Sequence, residues 1–211
     1  MRHKHYAINF ISLRISKLCL FVLLFQSGNL LAVSWDEVYQ AKSKYEKHVK
    51  IVQLAQLEDS RAQFVLSHHY RLGEHVQKDG NKANEWLFKS ANNGYAEAEY
   101  MLASSYNTPR YNFSLDYEQS VMWLKRAAKQ GHLDAQYELG EQYHVGLGVE
   151  RDLILSYIWL NLASRSNRFL ATRSRLMVKD EMTDQQIKTA DAQLPEYFKR
   201  YADNNNMRNA Q

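Results

Sequence analysis

Cysteine, proline and glycine are scarce in this 211-residue chain, and each scarcity removes a class of architecture. The single cysteine, Cys19, stands in an N-terminal apolar run. The rest of the chain therefore has no thiol for a disulfide, a thiolate metal site or a cysteine nucleophile. Two prolines, Pro109 and Pro195, and eight glycines supply few of the breaks that strand-and-turn folds need, which favours long helices. A surplus of one charge is missing too. The chain carries 27 basic and 23 acidic side chains, and Arg2, Lys4, Arg14 and Lys17 hold the whole difference within an acid-free stretch of 34 residues. The remainder is formally neutral and lacks the phosphate attraction that drives nucleic-acid binding, so no nucleic-acid partner is expected. Serine elbows and glycine-rich phosphate loops are absent as well, and acids such as Glu58 and Asp59 fall at solvated helix starts. The chain reads as non-enzymatic, with no catalytic residues and no cofactor.

Residues 1–34 have the three parts of a secretory signal: basic residues through Lys17, the apolar run Leu18 to Phe25, then a polar stretch with small residues. Cleavage after Ala32 or Ser34 is expected, which places the protein in a bacterial periplasm or outside the cell. The uncharged run from Leu18 to Ser34 is 17 residues long and contains Gln26, Ser27, Gly28 and Asn29, short for a membrane span. If the segment is retained, a membrane-anchored assembly factor is the reading instead.

What the chain does have is internal repetition. After a helix-forming segment at 35–57, in which Val38, Tyr45, Val49, Val52 and Leu54 fall at mostly helical spacing, one set of residues recurs three times. Ala62, Ala98 and Ala135 are followed four residues later by Leu66, Leu102 and Leu139, and eight residues later by Tyr70, Tyr106 and Tyr143. Such spacing makes one helical stripe, and the small residues beside it (Ser67, Ala103, Gly140) leave room for a crossing helix. Trp86, Trp123 and Trp159 recur in phase and read as core. Gly94 and Gly131 end second helices, Gly146 and Gly148 turn the chain within the third copy, and Asp152 caps the helix that follows. Each copy is thus a helix hairpin: repeat 1 at 58–94, repeat 2 with an irregular loop at 95–131, repeat 3 at 132–167. A partial fourth repeat and closing helix occupy 168–202, with Thr183 and Gln186 at capping-box spacing and Pro195 expected to end or kink the helix, and a frayed tail follows at 203–211.

The motifs AQYELGEQYHVGLGVERDLILSYIWLNLA, AEYMLASSY with SVMWLKRAAKQG, and AQFVLSHHYRLG with KANEWLFKSANNG resemble the Sel-one-like repeat family, relatives of tetratricopeptide repeats. The resemblance implies an all-α, right-handed superhelical α/α solenoid of helix-turn-helix repeats. It also implies a concave surface that holds a partner protein or peptide. On the first helices, opposite the stripe, the positions that would line it are Phe64, His68 and Arg71, then Tyr100, Ser104 and Asn107, then Tyr137, Glu141 and His144. Phe64, Tyr100 and Tyr137 either bind or pack between repeats, while His68, Arg71, Glu141 and His144 are expected to be exposed contacts. His68 and His69 point to different sides of one helix, His75 lies in a loop, and no metal site is expected. The function so read is an exported adaptor or scaffold. A peptidoglycan- or glycan-associated envelope protein or enzyme is the alternative.

Overall fold

The stripe and its small neighbours specify helices that cross closely, and a computed structural model shows them. It describes residues 33–108, 113–166 and 169–202. Nearly all of the proposed signal segment, part of the repeat 2 loop and the tail lie outside that range. The helices are α1 (Trp35–Gln40), α2 (Lys44–Gln56), α3 (Ser60–Leu72), α4 (Gly80–Asn92), α5 (Ala96–Asn107), α6 (Tyr117–Lys129), α7 (Leu133–Val145), α8 (Leu153–Ala163), α9 (Phe169–Glu181) and α10 (Asp184–Tyr201). No strand occurs among the described residues, and no helix there is long and apolar enough to cross a membrane. The hairpins α3/α4, α5/α6 and α7/α8 stack in order, α2 stands before α3, and α10 packs on α8 and reaches α6.

The recurring residues are the core. Ala62, Ala98, Ala135, Leu66, Leu102 and Leu139 are all buried, as are Trp123 and Trp159. Trp159 is enclosed by α10, stacked on Tyr201 at 5.5 Å and edge-on to Tyr197 at 5.6 Å. Trp86 is only half-buried, with the Lys89 ammonium 4.1 Å above its ring. Beside each stripe alanine runs a second recurring set, Gln63, Glu99 and Gln136, all buried. The Gln63 and Gln136 amides donate to the carbonyls of Ala55 and Ala128 near the end of the preceding helix, each a second hydrogen bond to a carbonyl that already accepts a backbone N–H, from Glu58 and Gly131. Glu99 has no N–H to give, so Arg126 donates to the equivalent Ala91 carbonyl and pairs with Glu99 at 2.8 Å.

Aspartates start the second helices: Asp79, Asp116 and Asp152 accept from backbone N–H groups of the first turn. Gly148 (φ +73) is required on two counts, since a Cβ there would also stand 2.2 Å from the Tyr117 carbonyl oxygen. His75 takes the same left-handed conformation at the matching place in repeat 1, at φ 61. The capping box of Thr183 and Gln186 forms as its spacing predicts. Pro195 does not end α10, which runs through it to Tyr201. The helix forgoes the hydrogen bond to the carbonyl of Asp191, an exposed residue, while Tyr197 and Tyr201 beyond the proline anchor the chain on Trp159.

The 35–57 segment is two helices, with Val38 and Leu54 buried but Tyr45 and Val49 exposed. At its packing surface with α3, His48 and His69 bring their Nδ1 atoms to 2.8 Å. Burial lowers the His69 pKa to about 4, so the pair is neutral at pH 7.

Candidate partner-binding surface

The first helices of successive repeats, α3, α5, α7 and α9, are joined side to side through the positions that the sequence singles out. Phe64 lies 5.2 Å from the Tyr95 ring at the start of α5, and its edge meets His68 at 4.7 Å. Tyr100 stacks on His132 at 4.5 Å and donates its hydroxyl to Glu138 Oε1 at 2.7 Å, crossing from α5 to α7. Burial, reinforced by that hydrogen bond, pushes the Tyr100 phenol pKa up. Asn107 Oδ1 accepts from Gln142 at 3.3 Å, and His144 Nε2 meets Glu181 of α9 at 2.8 Å. Phe64 and Tyr100 therefore pack between neighbours, whereas Tyr137 borders a cavity.

One expectation for this face fails. Arg71 is not an exposed contact: it is 8% exposed, because it follows Gln63 and Ser67 at four-residue intervals along a buried edge of α3. His144 is half-buried and meets the Glu181 carboxylate, which is also paired with Arg151. The third position of each triad is thus largely spent on architecture. His68, Ser104 and Glu141 remain half-buried at the surface.

Further residues belong to the face. His132 Nδ1 accepts from the Ala135 N–H, so its Nε2 donates to Glu97 at 3.0 Å, and that hydrogen bond lowers the Glu97 pKa. A cavity of about 340 Å³ between α7 and α9 is lined by Asp134, Tyr137, Glu138 and the apolar residues Phe169, Leu170 and Ala171. Phe169 is 75% exposed and Leu170 59%, large apolar side chains that the described residues leave mostly uncovered. Burial raises the Glu138 pKa, against the smaller lowering effect of the Tyr100 hydrogen bond. Glu138 Oε2 and Glu141 Oε1 are buried and accept no hydrogen bond from the described residues. The signal for Asp134 and Glu138 was available as an i, i+4 carboxylate pair flanking Tyr137. The exposure of Phe169 and Leu170 depends on how α9 docks, which no local pattern reveals. This face can grip apolar side chains and accept hydrogen bonds, and among the described residues it assembles no nucleophile with a base.

Stacked hairpins whose first helices share one continuous face define an α/α solenoid of the tetratricopeptide type. The chain belongs to the Sel1 repeat family, whose repeat matches residues 60–95, 96–132 and 133–167. It is similar in structure to a Sel1 repeat protein from Oxalobacter formigenes, with 30% identity and a TM-score of 0.59 over 61% of this chain and 96% of that one. It is also similar to c5321, a protective antigen of uropathogenic Escherichia coli strains with an SLR fold, with 25% identity and a TM-score of 0.59. That match covers 91% of this chain and spans half the length of the antigen. A comparison with curated proteins gives no match. Sel1 repeats generally mediate protein–protein interaction, and their solenoids are typically non-catalytic scaffolds.

Proposed function

We propose that the protein is an exported bacterial envelope adaptor that holds a segment of another protein along the face of α3, α5, α7 and α9. The observation that carries this reading is the cavity between α7 and α9. There the exposed Phe169 and Leu170 stand beside Tyr137 and the unspent carboxylate oxygen of Glu138. An apolar side chain seated against Phe169 and Tyr137 removes their surface from water, and a neighbouring N–H or cationic donor satisfies the buried oxygen. The repeats present this site on a rigid scaffold, so little ordering cost falls on the adaptor when a partner binds. His68, Ser104 and Glu141 extend the same surface toward the N-terminal repeats.

The test is site-specific photocrosslinking in the native envelope. A photoreactive side chain at Tyr137 or Phe169 should give a discrete protein adduct, while the same group at the exposed Tyr45 or Met122 should not. Equal adducts from all four positions, or adducts to cell-wall glycan instead of protein, would reject the adaptor reading.

A further inference from the structure

Away from that surface, two buried imidazoles face each other where α2 docks on α3. His48 from α2 and His69 from α3 are 7% and 8% exposed, and their Nδ1 atoms stand 2.8 Å apart in a hydrogen bond. One ring must donate and the other accept, so the contact requires a single proton between the facing nitrogens. The groups around the pair are Lys44 and Lys47 of α2, His68 of α3, and Glu74 and His75 of the loop that follows. Glu74 is the one carboxylate among them, against two ammonium groups, and the His75 ring centre lies 5.7 Å from each ring of the pair.

The pair holds a separable part of the fold. α1 and α2 sit on α3 through a small core of their own, Val38, Ile51, Leu54 and Ala55 against Ala62 and Leu66, distinct from the core that runs from Leu87 of α4 to Ala190 of α10. His48 lies in the same row of α2 as Ile51 and Ala55, at i, i+3 and i+7, so a charge on it arises inside that small interface. A first added proton places an imidazolium in a site closed to water, beside Lys44 and Lys47. A second puts N–H on both facing nitrogens and abolishes the bond. We propose that the His48–His69 pair is an acid-sensitive clasp, whose protonation releases α1 and α2 from α3 while the hairpins of repeats 2 and 3 stay folded. Release uncovers Ala62 and Leu66, the stripe residues of the first repeat, and turns the N-terminal end of the solenoid into an apolar surface at low pH. Burial is the main cause that holds both ring pKa values down, to about 4 for His69, followed by the His48 charge for His69 and the His75 charge for His48. A group whose folded pKa lies below its ordinary 6.5 gives stability that is complete above 6.5 and is lost as pH falls toward 4.

The test is hydrogen–deuterium exchange of the full chain at about pH 7 and pH 5, each segment corrected for the intrinsic pH dependence of exchange. With the His69 pKa at about 4 docked and 6.5 released, opening of α2 should rise about twentyfold between the two, and α8 should change far less. His48→Leu/His69→Leu fills the interface without a titrating group and should hold α2 equally closed at both pH values. If that variant leaves α2 open already at neutral pH, NMR titration of the His69 ring in wild type decides: a midpoint below about 5 supports the clasp and a higher one overturns it. A wild-type α2 that opens no more than α8 on acidification, or the same rise retained in the double variant, would also overturn it.

Discussion

Replacing Gly140 by alanine sets two effects of opposite sign against each other. Gly140 sits where α8 presses on α7: Ser156 Oγ donates to its carbonyl at 2.8 Å. A Cβ there would stand 2.7 Å from Leu160 Cγ, 2.9 Å from Leu160 Cδ2 and 3.3 Å from the Leu160 backbone nitrogen. Helix propensity alone favours alanine by about 1 kcal/mol. Overpacking a filled core costs about 1 to 3 kcal/mol. Leu160 is 0% exposed, and the contact with its backbone nitrogen is relieved only by shifting α8. Overpacking therefore wins, with a net loss of up to about 2 kcal/mol. For a chain of this length the Tm should fall by up to about 8 °C in a thermal melt. A double-mutant cycle isolates the cause. Leu160→Ala alone costs about 2 to 5 kcal/mol but removes the obstructing atoms, so the double variant should lose less than the two single losses together. A Gly140→Ala variant that melts at or above wild type, or strict additivity, would refute the packing argument. Ser67 and Ala103 already carry a Cβ at this phase, opposite Leu87 and Leu124, so the effect belongs to the α7/α8 crossing.

Trp159→Ala should cost about 3 to 5 kcal/mol in denaturant unfolding, and Trp86→Ala clearly less, because only the first ring is enclosed by a second helix and its tyrosines. Arg126→Ala strips the buried Glu99 of its cation and should cost about 2 to 3 kcal/mol, somewhat less than for a wholly buried pair because Arg126 is 41% exposed. Adding Glu99→Gln should recover most of that loss, since glutamine donates to the preceding helix at this position in the other repeats; no recovery would contradict the shared role. Glu138 has a folded pKa raised by burial, so its contribution to stability is present below the unfolded value and lost as pH rises through the folded one. Glu138→Gln should thus raise the Tm at pH 7 and lose that advantage near pH 4, and a gain of the same size at both would count against it.

The hairpins were legible because their signals are local and repeated. Alanine, leucine and tyrosine at fixed offsets, glycines in the turns, Asp152 and the Thr183–Gln186 box each act within a turn or two of helix. The row Gln63, Glu99, Gln136 recurs just as plainly, yet its role appears only once a second helix ends against it. Contacts between elements were less accessible. Arg71 has the spacing of a surface residue, and its burial follows from how wide an arc of α3 its neighbours cover. His48 and His69 are 21 residues apart on different helices, so counting histidine spacing within one helix could not bring them together. α10 runs through Pro195, and the tyrosines beyond it meet Trp159 in a contact set by tertiary packing.

The central claim is that the α7/α9 end of the first-helix face holds the partner. Its most direct measurement is the affinity of the crosslinked partner, once identified, for wild type and for Tyr137→Ala/Glu138→Gln of matched helicity. At least about a tenfold loss is expected, because an aromatic anchor and a buried acceptor are altered together. An unchanged affinity would contradict it.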